Sequence, residues 1–358
     1  MTRNYRPSLP VACASLALLV GICAIDSSAL AQQGVPPANT LSIPTWQHPD
    51  AVPSQPTVRA PLPQPDTALE VPSLKLRSQP GYEQVTVTVT DSAGKYVTDL
   101  KADDFRVLED GQQRPIGFFR VDRSAPVSVG IIVDCSGSMA SKMWQARTAI
   151  TRMVNELDSR DEIFLESFSV QAQLLQPFTT DHTRIIDHLN FLHALTHTAL
   201  YDAIYMGLYE MRHASRDKRA LVIVTDGMDN ESRMTRDEVI AAARAMKVLI
   251  YSIGIGDQAM DPNGGSLFSS DSEQVDMKTL TALSEETGAK AFNLHRVGDG
   301  GELSRDCESI GAELTRQYTV AYLSPDPGRL GYRTLRVDIP SHPELTVRVR
   351  KGIAVIPH

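Results

Sequence analysis

Five side chains with hard oxygen donors stand at three places in the chain. Asp134, Ser136 and Ser138 alternate along Asp134-Cys135-Ser136-Gly137-Ser138, directly after the charge-free, mostly apolar run Val127 to Val133. Thr198 opens the stretch Thr198-Ala199-Leu200-Tyr201-Asp202-Ala203, and Asp226-Gly227 closes the apolar run Ala220 to Thr225. Loops at the carboxyl ends of buried strands are where open α/β sheets bind ligands. Carboxylate and hydroxyl oxygens suit Mg²⁺, Mn²⁺ or Ca²⁺ rather than zinc or copper. Mg²⁺ takes about six ligands in an octahedron. Five side chains at most, some acting through water, leave a coordination position for a group from outside. Of the five, Asp134 and Asp226 carry the negative charge. A dication they hold remains a strong Lewis acid, and a partner's carboxylate completes its shell. Taken alone, Asp-x-Ser-x-Ser reads equally well as turn chemistry, because Ser, Asp and Gly crowd any turn after a strand. Thr198 and Asp226 in register with it favour the metal-bridged docking site.

The elements that must position these residues alternate between strand and helix. After the buried strand Val127 to Val133, the residues Met139, Met143, Ala146, Ile150, Met153 and Leu157 recur at helical spacing. Asp161 to Phe168 reads as a strand and Ala172 to Phe178 as an edge strand. Leu200, Ile204, Leu208 and Met211 mark a second helix, and Ala220 to Thr225 a buried strand. Thr235 with Glu238 forms a capping box for a helix reaching Met246. Val248 to Ile255, a helix Met277 to Gly288, a strand Ala291 to Leu294 and a helix from Glu302 to about Gln317 complete the series. This order predicts an α/β fold with a mostly parallel sheet and helices on both faces.

The flanks read differently. Val85 to Thr90 alternates with period two, and Asp104 to Glu109 and Pro115 to Val121 are predicted as strands joined by the turn Asp110-Gly111. Tyr318 to Leu323, Tyr332 to Ile339 and Leu345 to Val349 are strands separated by turn residues. Neither set alone makes a good core. The prediction is one small antiparallel β sandwich formed by both flanks, with the α/β domain inserted in it. Two independent β appendages are the alternative.

Arg3 and Arg6, the apolar stretch Leu9 to Ile25 and the small-x-small site Ala29-Leu30-Ala31 have the layout of a secretory signal peptide. An uncleaved anchor is the alternative; no other stretch is long and apolar enough to span a membrane. The domain reading is therefore a signal peptide over 1–31, a Pro-rich linker over 32–79, sandwich parts over 80–125 and 318–358, and the α/β domain over 126–317. The expected location is secreted or periplasmic. Cleavage removes Cys13 and Cys23, and leaves Cys135 and Cys307 to pair or to remain free thiols. The 358 residues suffice for about two domains. The formal charge of -8, with no basic stripe, argues against a nucleic-acid partner. Gly256 to Val275 is a long polar loop without EF-hand spacing.

Asp134-x-Ser136-x-Ser138, the stretch from Thr198 to Ala203, and Val224-Thr225-Asp226-Gly227 resemble the metal-ion-dependent adhesion site of von Willebrand factor A domains, a group that includes integrin I domains. The flanks, through Val97 to Phe105 and Val347 to Gly352, are similar to a bacterial secreted branch of the group, the acidobacterial type. The resemblance implies a Rossmann-like fold with one divalent cation at the top of the sheet, held by Asp134, Ser136, Ser138, Thr198 and Asp226. It implies a protein ligand presenting Asp or Glu, and a final helix that shifts on binding. His197 stands where many relatives have Gly. A bulkier residue there crowds the Thr198 loop or touches the ligand. Asp229 acts either as support behind the ligands or as a turn residue.

The expectation is a non-enzymatic binding protein. The rivals are a metal-dependent hydrolase or phosphatase built on Asp134, and a purely structural secreted protein. The chain has no phosphate-binding Gly-x-x-x-x-Gly-Lys-Ser/Thr loop, no His-Glu-x-x-His and no Gly-x-Ser-x-Gly elbow. His193 and His197, four apart, read as ordinary surface or packing residues rather than zinc ligands. Met143, Trp144, Met153 and the tyrosines from Tyr201 to Tyr209 read as core and interface packing.

Overall fold

The computed structural model describes residues 81–122, 125–195, 197–256, 275–294, 309–326 and 329–355. The leader, the linker, residues 257–274 of the polar loop and Cys307 lie outside the described residues.

Five strands of the central sheet run parallel, and a sixth closes one edge. In chain order these are β5 (Val127–Asp134), β6 (Glu162–Phe168), β7 (Ala172–Thr179), β8 (Lys218–Thr225), β9 (Leu249–Ile255) and β10 (Ala291–Leu294). Their spatial order is β10-β9-β8-β5-β6-β7, with only β7 antiparallel to its neighbour. The period of two along each strand sends alternate side chains to opposite faces. Val127, Val129, Ile131 and Val133 of β5 and Ala220, Val222 and Val224 of β8 enter one core. Ile132, Leu221 and Ile223 enter the other. The first core is covered by α1 (Met143–Glu156), α2 (His182–Leu189) and a closing helix α6, described over 309–314. The second is covered by α3 (Leu200–Glu210), α4 (Arg236–Ala245) and α5 (Met277–Thr287). Because both faces are covered, the central strands carry no polar alternation, which is why they read as apolar runs.

Gly130 sits at the middle of β5. A Cβ there lies 2.3 Å from Phe164 Cζ and 2.6 Å from Leu221 Cδ2. Both neighbours are buried, so neither has room to yield. Gly130→Val is expected to cost about 3 kcal/mol. Urea unfolding followed by far-UV circular dichroism measures this, and a change within error of zero refutes it.

The flanking strands form two antiparallel sheets, each drawing strands from both sides of the α/β region. One has the order β13-β1-β11-β4 and the other β14-β12-β2-β3. Here β1 is Tyr82–Thr90, β2 Arg106–Glu109, β3 Gln112–Arg114, β4 Ile116–Asp122, β11 Gln317–Leu323, β12 Gly331–Asp338, β13 Thr346–Arg348 and β14 Gly352–Val355. The two sheets share one core, in which Val85, Val87 and Val89 of β1 meet Val107, Val320, Leu335 and Ile353. At its centre Phe105, Phe119 and Tyr318 hold their ring centroids 5.0–5.4 Å apart.

Three details differ from the sequence expectation. The turn at Asp110-Gly111 pairs β2 with the short β3, not with the strand after Pro115. Pro115 ends that hairpin because it has no N–H to donate, and β4 crosses to pair with β11 in the other sheet. The helix α2, capped by Asp181, and the strand β14 have no counterpart in the sequence reading. No helix among the described residues is long and apolar enough to cross a membrane.

Candidate metal centre

The register of the sheet sets the site. Val133 of β5 pairs with Val224 of β8, so the two strands deliver Asp134 and Thr225-Asp226 side by side at their carboxyl ends. Asp134 is fully buried. Its Oδ2 accepts a hydrogen bond from Thr225 Oγ1 at 2.6 Å, and its Oδ1 accepts one from the Ser136 N–H at 2.8 Å. The second bond folds the chain into a tight turn, of the kind Asp side chains make with the backbone two residues on. That turn presents Ser136 Oγ and Ser138 Oγ 3.1 Å apart. Ser136 is buried and Ser138 exposed, so the hydroxyl pair leads from the carboxylate toward solvent.

Asp226 is buried as well. Gly227 turns the chain after it with φ of 85°, a left-handed conformation that glycine adopts at no steric cost. Asp226 Oδ1 is reached by the Met228 N–H at 3.4 Å, while Oδ2 makes no hydrogen bond and lies 3.5 Å from Lys142 Nζ. The two carboxylates act on each other. Burial is the main cause that pushes Asp134 up to about 6, the charge of Asp226 adds to it, and the bonds from Thr225 and Ser136 oppose it.

Thr198 is buried and joined to the Asp226 loop through its backbone. Its N–H donates to Asn230 Oδ1 at 3.0 Å, and its carbonyl accepts from the N–H groups of Asn230 and Glu231 at 3.0 and 3.1 Å. Asp229 proves to be a helix cap: its Oδ1 accepts from the Leu200 N–H at 2.8 Å and from Ser232 Oγ, which fixes the start of α3. The Cys135 N–H donates to the Phe168 carbonyl, and the Leu195 N–H to the Cys135 carbonyl. All three sequence motifs are thus tied to one end of the sheet. Asp134, Ser136, Ser138 and Asp226 are linked through side-chain contacts and charge, and Thr198 through the loop.

The donor set fits a hard divalent cation. Two buried carboxylates repel each other, and one buried carboxylate oxygen has no hydrogen-bond donor. Among the described residues no three His, Cys, Asp or Glu side chains gather. A centre of two carboxylates and several hydroxyls contains only two such residues. Cys135 is buried and free, and burial followed by the charge of Asp134 pushes its thiol up to about 12. His193 is exposed, and His197 Nδ1 is 3.9 Å from Glu231.

Sequence reasoning missed Lys142, Asn230 and Ser232, whose roles depend on loop contacts that no spacing encodes. Of the residues read as core and interface packing, Met143 and Met153 are buried, and the Trp144 side chain is 53% exposed. Phe191 at 75%, Leu195 at 61% and Met228 at 38% are exposed on the segments flanking the site. Arg147, one turn along α1 from Trp144, donates to the Leu192 carbonyl and so brings Phe191 to Leu195 beside that end of α1.

The family model for the von Willebrand factor type A domain matches residues 128–304. An uncharacterized protein of Borreliella burgdorferi is 26% identical over 188 residues, 48% of this chain and 55% of its own, so the match spans about half the length of that curated relative. Two solved structures are similar at low identity. BatB from Bacteroides thetaiotaomicron is 17% identical with a TM-score of 0.42, over 52% of this chain and 98% of its own. A von Willebrand factor type A protein from Catenulispora acidiphila is 15% identical with a TM-score of 0.44, over 68% and 74%. Residues 128–304 of this chain are a von Willebrand factor type A domain.

Proposed function

We propose that the protein is an exported, metal-dependent binding module. Asp134, Ser136, Ser138, Thr198 and Asp226 hold one Mg²⁺, with Mn²⁺ or Ca²⁺ as substitutes, and a protein partner supplies an Asp or Glu. The observation that carries this reading is the pair of buried carboxylates, one with an unbonded oxygen, at the carboxyl end of the central strands. Bound there, the cation supplies a Lewis-acidic attachment point for a carboxylate. Asp134 supplies charge, and Thr225 and the Ser136 N–H fix its orientation. Ser136 and Ser138 offer neutral oxygens on the path to solvent. Domains of this family are in general protein-interaction modules rather than enzymes. The exposed Trp144, Phe191, Leu195 and Met228 on the segments that flank the site support a protein partner, since exposed large apolar side chains suit an interaction surface. With residues 1–31 read as a secretory signal, the partner lies outside the cytoplasm.

Calorimetric titration with Mg²⁺ tests the reading. The wild-type protein is expected to show a saturable heat that Asp134→Ala lacks. Equal heats from the two proteins overturn it. A partner recovered with the wild type is expected to be released by chelator.

A further inference from the structure

Lys142 is a charged side chain in a place where charge is costly. Its side chain is 1% exposed, and its ammonium faces Asp226 Oδ2, also buried, at 3.5 Å. An ammonium taken out of water persists only when paired. The backbone of Lys142 belongs to the same turn as the hydroxyl pair: the Met139 N–H donates to the Ser136 carbonyl, and the Lys142 N–H to the Met139 carbonyl. The side chain therefore enters the site from the segment that carries Ser136 and Ser138. Lysine is a compact point charge on a flexible four-carbon stem, so it can leave without moving its backbone.

We propose that the Lys142 ammonium is a tethered competitor of the divalent cation for Asp226. This rests on the metal reading above and adds a residue that sets its strength. The ammonium neutralises Asp226 when no dication is bound. A dication brings two positive charges to the same carboxylate and repels the ammonium, so loading requires Lys142 to withdraw. The cation concentration at which the site fills is then set by the strength of the Lys142–Asp226 pair. The withdrawn ammonium adds positive charge near the mouth where a partner's carboxylate arrives.

The experiment compares the wild type with Lys142→Met, of similar length and without charge. Mg²⁺ affinity is read by calorimetry, and melting temperature is read in chelator and in Mg²⁺. Lys142→Met is expected to bind Mg²⁺ at least tenfold more tightly, about 1.4 kcal/mol. It is expected to melt several degrees lower in chelator, with a larger Mg²⁺-induced rise. A residue that only supported the loop would weaken binding when removed, so tighter binding separates the two roles. If the wild type binds and Lys142→Met binds equally or more weakly, the competition is refuted and the metal reading stands. If only Lys142→Met binds, the competition is supported and the wild-type metal reading falls. If neither binds, both fall. A measurement on the wild type guards against a variant that fails to fold. Acetylation of Lys142, read by mass spectrometry, is expected to be at least threefold faster in Mg²⁺ than in chelator. Equal rates overturn the proposal.

Discussion

Asp134→Asn is expected to melt about 6 °C or more above the wild type in chelator at pH 7, and to bind no Mg²⁺. Asp134 is held at about 6, against an ordinary carboxyl value of 3.8, chiefly by burial. At about 1.4 kcal/mol for each unit, keeping this carboxylate ionised at neutral pH costs on the order of 3 kcal/mol. The sign follows from proton binding. Between about pH 4 and pH 6 the folded protein holds a proton on Asp134 that the unfolded chain has released, so stability falls as pH rises through that window. The asparagine amide does not ionise and escapes this loss. Its carbonyl still accepts from the Ser136 N–H, and its amide N–H₂ reaches Thr225 Oγ1, which already accepts from the Gly227 N–H at 3.0 Å. At about 2–4 °C per kcal/mol for a chain of this size, the gain in chelator is several degrees at pH 7 and vanishes near pH 4. Mg²⁺ at about 1,000 times its dissociation constant reverses the order, because it stabilises the wild type alone by about 4.1 kcal/mol, more than the roughly 3 kcal/mol that ionised Asp134 costs. Thermal melts of both proteins at pH 4 and pH 7, with chelator and with Mg²⁺, check the four outcomes. If the variant melts below the wild type in chelator at pH 7, the buried carboxylate stabilises the fold by itself, and the strain assigned to it is absent.

That trade between stability and binding bears on what the sequence makes legible. Val127 to Val133 reads as a buried strand because both faces of β5 are covered and no polar position is needed. Thr235 and Glu238 read as a helix start because the capping box is local chemistry, and both of its bonds are formed. Asp134, Ser136 and Ser138 stand out because one short turn places all three. Thr198 is less legible, since its position depends on Asn230 and Glu231 from a loop far along the chain. Lys142 is illegible: nothing in Ser141-Lys142-Met143 distinguishes a lysine aimed inward at Asp226 from one on the surface of a helix start. The hairpin at Asp110-Gly111 was visible, but its partner was not. The turn fixes only the next few residues, and the sheet that β4 joins is decided by pairing with β11 nearly two hundred residues later.

Glu313→Ala is expected to cost about 3–5 kcal/mol, the usual penalty for removing one partner of a buried ion pair. Glu313 lies on α6 and is wholly buried. Its Oε1 accepts from Tyr251 Oη of β9 at 2.9 Å and from Thr88 Oγ1 of β1 at 3.4 Å. Its Oε2 accepts from Tyr96 Oη at 3.2 Å and from an Arg348 guanidinium N–H of β13. One carboxylate thus joins the closing helix to the central sheet and to the sandwich. The charge of Glu313 contributes, after burial, to pushing Tyr251 well above the ordinary range, so the tyrosine stays protonated and remains a donor. Removing the carboxylate leaves Arg348 without its acidic partner and leaves the Tyr251 and Thr88 hydroxyls short of an acceptor, while the Tyr96 hydroxyl keeps the Ser309 carbonyl at 3.1 Å. Urea unfolding of Glu313→Ala and Glu313→Gln separates the contributions. The amide keeps one acceptor oxygen and loses the charge, and is expected to fall between wild type and alanine. Hydrogen exchange in residues 309–314 is expected to quicken in the alanine variant, because α6 loses its carboxylate anchor and is then held by Ile310 and Leu314 in the core and by the bonds from Lys218 to the Leu314 carbonyl and from Tyr96 to the Ser309 carbonyl. Any displacement of this helix on docking, as the resemblance to integrin domains implies, has to break these four bonds first. Unchanged exchange and a loss below 1 kcal/mol would show that the Glu313 carboxylate does not restrain the helix and that its remaining contacts hold it.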